Sequence, residues 1–414
     1  MKATFTKAIR YNVDIVCGSP LRTGGSAKDA QSILLDADHC PFLQGTSLAG
    51  AFRSWRPDAD LFPDNDRKNP LTFSDLYLEK VNPVFRPRLQ INGATGTAAR
   101  GAKFDMAAVP TGTHGSFQLI WTGDADPAPI AEKLETYLSA LNSGEITLGA
   151  LTANGFGRVR VSAKRRIYDL FDPVDLEAWM QGSMVTDAEP ICLSERVERS
   201  VRFTVTASVP RLLIKASSGN RSNGGSNFVP IRECGRTIVP GSSIKGVIRS
   251  QMFRICPHFG YKTEDLERLL GHESRRKIGG VAGVIRFSDG DLSDEKILRT
   301  NRIRINRLTG GIIPPGLFTE DSVAATLKFE IRIPVERKAG CALLLYALRD
   351  LGLGLYELGS GTAVGRGRLE SVQVQIQGAG SQASLRCNPD AVELSDPDGM
   401  IAEWECALRG GVRL

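Results

Sequence analysis

The stretch "IVPGSSIKGVIRS", residues 238–250, has an echo in "FLQGTSLAGAFRSW", residues 42–55, and the echo decides the fold. Each opens on an apolar strand end, crosses a tight turn and enters a helix. In the second stretch Ile244, Val247 and Ile248 share one helix face, which Met252 and Ile255 continue, so that face is the core side. Ser242 or Ser243 stands where a hydroxyl caps the first turn. Bare N–H groups and the positive end of the helix dipole make an anion seat there. Lys245 and Arg249 lie four residues apart on another face and would hold successive phosphates. An ordinary capped helix with a solvated basic face accounts for the same residues. The first stretch keeps Arg53 but has Ala49 in place of the lysine.

The echo extends along the chain. "FSD" stands at 73–75 and at 287–289, "INGATG" at 91–96 answers "INRLTG" at 305–310, Phe104 answers Phe318, and Val109 answers Val323. All four share one offset, 214 residues, which points to duplication. "GTSLAGAFR" (45–53) matches "GSSIKGVIR" (241–249) at a shorter offset of 196, so the second copy carries an insertion. It falls around "PHFGYKTEDLERLLGHESRRKIGG", which holds a short amphipathic helix. "NGFGRVRV" (154–161) matches "VGRGRLES" (364–371) at an offset of 210. The copies span residues 1–165 and 200–378. An acidic, proline-bearing connector fills 166–199. The polar tail 379–414 is expected to be loose, with its last stretch docking as a short strand or helix.

Within each copy, alternating stretches such as "ATFTKAIRYNVDIVC" and "RFTVTASVPRLLIK" predict strands. "PAPIAEKLETYLSALN" and "AGCALLLYALRDLGL" carry helical spacing. Strand, helix, two strands, helix, strand is the α+β plan of a ferredoxin-like (RRM-like βαββαβ) domain. Two such domains in tandem are expected.

The 414 residues are too many for one ordinary domain, and 42% apolar with 24% charged residues is a soluble globular balance. No apolar run reaches membrane-span length and the start lacks signal-peptide anatomy, so a cytoplasmic, non-membrane protein is expected. A net charge of +6 is compatible with a polyanion partner. Eight cysteines are scattered singly with no CxxC pair, which argues against disulfides. Cys256, His258 and His272 supply three soft ligands without a fourth, so zinc is not expected. Four histidines leave little material for histidine catalysis.

Chemistry has two further places to sit. The glycine-rich stretches "LGALTANGFGRVRV" and "LGSGTAVGRGRLE" let backbone approach a ligand closely; neither is a Walker loop. A tight bend before an edge strand explains them equally. The loop "GGSAKDAQSILLDADHCPFL" (24–43) holds Asp36, Asp38 and His39, whereas "NGGSNFVPIRECGRTIV" (223–239) offers Asn227 and no aspartate. A carboxylate near a phosphate-binding helix start suits metal-assisted cleavage of a phosphodiester. Solvated Asx-turn aspartates are the alternative.

The ordered set resembles the RAMP superfamily of CRISPR-associated proteins, and within it the backbone subunits of type III effector complexes. It comprises a GG-S loop with a downstream aspartate, a Pro-Gly-Ser-Ser-x-Lys-Gly helix start, a central "INRLTG" hairpin and a C-terminal glycine-rich loop. Two fused copies look like the double backbone subunit of a type III-D-like complex. The resemblance implies a guide-RNA-binding subunit that cuts the paired target RNA, partnered by other backbone subunits and a large polymerase-like subunit. Each copy would carry a β-hairpin thumb, about 86–110 and 302–324. RNA contacts would come from Ser26, Thr46, Ser47, Arg53, Asn154, Gly155, Gly157, Arg158, Ser242, Ser243, Lys245, Arg249, Arg307, Gly365, Arg366, Gly367 and Arg368. The catalytic, metal-holding residue would be Asp36, with Asp38 in reserve, using Mg²⁺ or Mn²⁺. Gln44 and Ala49 depart from the family pattern in the first copy. A non-catalytic clamp or cap, and a stand-alone guide-processing endonuclease, are the other readings.

Overall fold

The computed structural model describes residues 5–24, 32–63, 68–91, 98–182, 188–194, 199–217, 226–272, 279–378 and 380–414. It forms two units, Met1–Thr152 with Phe156–Val197, and Ala153–Gly155 with Glu198–Leu414. Both are mixed α/β units on antiparallel sheets.

Unit 1 runs β1 (Lys7–Cys17), β2 (Phe42–Leu43), α1 (Gly45–Trp55), β3 (Leu71–Phe73), β4 (Leu76–Leu78), β5 (Val84–Ile91), β6 (Ala98–Ala108), β7 (His114–Gly123), α2 (Pro127–Ser143), β8 (Val159–Asp169), α3 (Pro173–Met180) and β9 (Glu189–Pro190). The main sheet has the order β2-β4-β7-β1-β8-β9, with β3 also on β7, while β5 and β6 form a separate hairpin. β1 is central because its alternation serves two faces: Ile9, Tyr11, Val13, Ile15 and Cys17 enter the core, and Asn12, Asp14 and Val16 turn away. Leu48 and Phe52 of α1, with Leu134, Tyr137, Leu138 and Leu141 of α2, cover the core face. α2 starts where Asp126 accepts from the Ala128 N–H beside Pro127, and ends at Gly144 with φ of 80°.

Unit 2 repeats the plan with additions. It runs β10 (Ser200–Leu212), β11 (Lys215–Ser217), β12 (Phe228–Pro230), β13 (Arg232–Glu233), β14 (Arg236–Val239), α4 (Gly241–Ile255), α5 (Thr263–Leu270), β15 (Gly271–His272), β16 (Val281–Ala282), β17 (Arg286–Phe287), β18 (Gly290–Ile305), β19 (Ile312–Pro334), α6 (Lys338–Gly352), β20 (Glu370–Gly378), β21 (Ser381–Asn388), β22 (Ala391–Ser395) and α7 (Met400–Arg409). The sheet order is β13-β14-β18-β19-β10-β20-β21-β22. β10, β19 and β20 take the places of β1, β7 and β8, and α4 and α6 those of α1 and α2. The expected amphipathic helix of the insertion is α5, which buries Leu266, Leu269 and Leu270. As expected, Ile244, Ile248 and Met252 of α4 are buried in the core.

Two boundaries differ from the sequence reading. The segment 166–199 is not a bare connector. β8 pairs with β1 as far as Lys7↔Asp169, and β9 pairs with β8. Between them α3 is capped by Asp172, and its Trp179 packs edge-on against Tyr168 and Phe5. One large aromatic anchors a helix whose Val174, Leu176 and Met180 stay exposed. Nor is the tail loose before its last stretch: β21 pairs with β20 and β22 with β21. The last stretch docks as a helix, as expected, with α7 burying Ile401, Trp404 and Leu408. Ala383, Leu385 and Cys387 alternate inward, a period of two that the polar average composition conceals.

Candidate nucleic-acid interface

The helix starts are capped by residues distant in sequence. Neither Gln44 nor Pro240, the N-cap residues, nor the expected Ser242 or Ser243 supplies the cap. Asp75 Oδ1 instead accepts from the Gly45 N–H at 2.8 Å, and Asp289 Oδ1 from the Gly241 N–H at 2.7 Å. These aspartates close the two "FSD" repeats. The serines repeat their roles as well. Ser74 Oγ accepts from the Gln118 N–H and Ser288 Oγ from the Glu330 N–H, both at 2.8 Å. Glycine opens each helix because a Cβ would lie 2.4 Å from Phe73 O or 2.8 Å from Ser288 O. A carboxylate of the chain's own thus answers the positive end of each dipole, so each helix start is a weaker anion seat than its sequence implies.

Lys245 is half-buried on α4. Arg249 donates to Gly271 O at 2.8 Å and lies 4.9 Å over the Phe253 ring, so it ties β15 to α4 rather than standing on a solvated face. In unit 1, Thr46, Ser47 and Arg53 are exposed.

The glycine loops are matched bond for bond. The Gly157 N–H donates to Pro20 O, and the Leu148 N–H donates to Gly157 O, both at 2.8 Å. The Gly367 N–H donates to Arg211 O, and the Leu358 N–H to Gly367 O, again at 2.8 Å. Both glycines have φ near +80°, and a Cβ would meet Leu148 O or Leu358 O at 1.9 Å. They admit the chain's own backbone, not a ligand's. Asn154 and Arg158 are half-buried, Gly155 is buried, and Gly365 and Arg368 are exposed.

Arg366 departs from its expected role on RNA. It is 1% exposed, with Nη2 2.6 Å from Oε2 of Glu320, itself 3% exposed. Lys215 and Arg302 approach the same carboxylate at 3.3 and 2.9 Å. Beside it Asp321 accepts from Ser226 Oγ at 2.6 Å and pairs with Arg299 at 3.0 Å. Burial pushes the Glu320 carboxyl up, yet Arg366 and Lys215 hold it below the usual range. The cluster joins the glycine loop to the foot of the β18–β19 hairpin.

That hairpin carries the exposed chemistry of unit 2. Asn306 Oδ1 folds its tip by accepting from the Leu308 and Thr309 N–H groups, and Gly310 takes φ of 67°. Arg307 is exposed there and Leu308 is 97% exposed. Ile303, Ile305, Ile312 and Leu317 are exposed along the hairpin. In unit 1 the β5–β6 hairpin exposes Phe85, Leu89 and Phe104, while buried Arg86 lies 5.1 Å over the Phe156 ring. Its tip at 92–97, like Ser26, falls outside the described residues.

Asp36 closes a turn. Its Oδ1 accepts from the Asp38 and Cys40 N–H groups at 3.0 and 2.7 Å, and His39 adopts φ of 62°. Oδ2 has no protein hydrogen bond among the described residues. Asp38 is exposed. Asn227, the counterpart in unit 2, exchanges hydrogen bonds with Thr319, both at 2.8 Å. Among the described residues no three His, Cys, Asp or Glu side chains converge to hold a metal ion. Mg²⁺ or Mn²⁺ would find one carboxylate here and would have to draw its other ligands from nucleic-acid phosphate, so the protein alone does not build a metal site. The Cys256 thiol points at Tyr261 O, 3.7 Å away in the core, while His258 is exposed.

Two copies of one antiparallel α/β plan, each with a hairpin and a glycine loop, define a protein made by duplication. The family model of the RAMP superfamily matches residues 14–160 and again 217–370. The chain belongs to that superfamily. Comparison with curated proteins finds no match. No helix among the described residues is long and apolar enough to cross a membrane.

Proposed function

We propose that this chain is a guide-RNA-binding backbone subunit of a type III CRISPR ribonucleoprotein, with two fused repeats as in a type III-D-like complex. The observation that carries the reading is the hairpin inserted at the same point of each repeat, between the second and third core strands. In unit 2 it ends on Arg307 and the uncovered Leu308. A cation beside a bare apolar tip suits a wedge against a guide–target duplex, with the protein following backbone and shape while pairing reads sequence. The ferredoxin-like reading is supported by the strand orders β8-β1-β7-β4 and β20-β10-β19-β18, fourth-first-third-second in both units. Binding of the full chain to guide RNA across a salt series tests the proposal. Arg307→Ala with Leu308→Ser is expected to weaken binding and to flatten the salt slope by about 0.7. Unchanged binding and slope would count against the hairpin.

A second reading adds target cleavage at Asp36. It is favoured by Oδ1 fixing the turn while Oδ2 remains for substrate, and by the diversion of Asn227 into the sheet. The carboxylate would orient a target 2′-hydroxyl. That oxygen passes its proton to the carboxylate and attacks the adjacent phosphorus, the 5′-oxygen leaves and takes up a proton from water, and a 2′,3′-cyclic phosphate and a 5′-hydroxyl result. Asp36→Asn keeps an acceptor for both turn N–H groups and removes the charge. It should preserve stability and abolish cleavage within the assembled complex; full cleavage by the variant would exclude Asp36 as the cutting residue.

A further inference from the structure

The face of the unit 1 sheet away from α1 and α2 is only half covered. α3 lies over one end, where Trp179 stacks 4.5 Å from the Arg10 guanidinium. The other end is an open groove of about 690 Å³, within the range of small-ligand sites. The register sets Tyr77, Ser116, Asp14 and Ser162 side by side across β4, β7, β1 and β8. One step along lie His114, Val16 and Arg160. Tyr77 is 51% exposed and its ring stacks on Phe42 at 6.1 Å and 24°, a fixed aromatic platform. Glu79 clasps the rim: its N–H donates to His114 O at 2.9 Å and its Oε1 accepts from the His114 N–H at 3.0 Å. The side chains of Asp14, Ser116, Arg160 and Ser162 form no hydrogen bond or ion pair among the described residues, although Arg22, Arg158, Arg165 and Arg166 of the same unit are engaged.

We infer that this groove binds a dinucleotide step of single-stranded RNA. A base stacks on Tyr77, a phosphate meets Arg160, and a ribose 2′-hydroxyl donates to Asp14. The inference deepens the RNA-binding reading and rests on it. Three strand spacings separate the platform from β8, about 14 Å, the reach of two linked nucleotides rather than one. An added peptide strand needs an open sheet edge. Here β4, β7 and β1 beneath the groove are paired on both sides, and on the outer edge of β8 the Val161 N–H is taken by Asn142 Oδ1, so side chains meet the ligand. An aromatic face, a cation and an acceptor carboxylate are the set that a base, a phosphate and a 2′-hydroxyl require.

The test uses the full chain with a fluorescein-labelled RNA octamer and the DNA octamer of the same sequence, read by polarisation. Tyr77→Ala is expected to weaken RNA binding roughly tenfold. Arg160→Gln should lower the salt slope by about 0.7. Asp14→Ala should narrow the preference for RNA over DNA. A 4-thiouridine octamer should cross-link to the peptide that carries Tyr77. If the wild-type chain binds RNA but the variants match it and cross-links fall elsewhere, the groove assignment is overturned and the RNA reading survives. If the wild-type chain binds no RNA, the RNA reading itself fails. Should Tyr77→Ala unfold, exposed Arg160→Gln and the cross-link decide the matter.

Discussion

Replacing Arg366 by methionine removes the main partner of a buried carboxylate without emptying the space. Arg366 and Glu320 are 1% and 3% exposed, and their charged atoms lie 2.6 Å apart. Removing one member of such a pair costs about 3–5 kcal/mol. Lys215 and Arg302 remain near Glu320, which places the expected loss near the lower figure, about 3 kcal/mol. For a unit of this size each 1 kcal/mol moves Tm by about 2–4 °C, so the unit 2 transition should fall by roughly 6–12 °C. Calorimetry of the full chain reads this, with the unit 1 transition as internal control. Acid provides a second signature. The Glu320 carboxyl is held below its ordinary value when folded, so its contribution is present above about pH 4.3 and is lost as pH falls below it. Glu320→Gln should lose this acid dependence. A loss under about 1 kcal/mol for Arg366→Met, with unchanged acid sensitivity, would show that Arg366 is not the partner on which Glu320 depends.

Other outcomes follow from the duplicated contacts. Asp75→Ala and Asp289→Ala each remove a helix cap and should cost about 1 kcal/mol in their own unit, read by urea unfolding. Gly157→Ala and Gly367→Ala force a positive φ and a Cβ onto a carbonyl oxygen. Each should cost well over the ~1–2 kcal/mol of the conformation alone, visible as loss of soluble expression or Tm. Trp179→Ala should loosen α3 from unit 1, costing about 1–3 kcal/mol and opening α3 to protease.

The repeat was legible because both copies kept the same residues at the same spacing, and the structure gives those residues the same bonds. Ser74 and Asp75 do in unit 1 what Ser288 and Asp289 do in unit 2. Their role was not legible: each aspartate caps a helix start 30 or 48 residues earlier, and no local pattern marks such a cap. The constant offset was the available signal. Arg366 looked like a ligand-facing arginine in a glycine loop because its partner, Glu320, sits on a strand far back in the chain. Asp36 was legible as a turn-former and remains one. The Tyr77–Arg160 groove was not, because four strands compose it and only the sheet order makes them neighbours.

This duplicated chain is proposed to hold RNA along both repeats. The direct measurement is binding of purified full-length chain to single-stranded guide RNA, followed by nuclease footprinting on the complex. Binding that weakens with salt is expected, with two protected stretches per chain, one for each repeat. Absence of binding at low salt, or a complex in which the RNA is no less open to nuclease than when free, would contradict it.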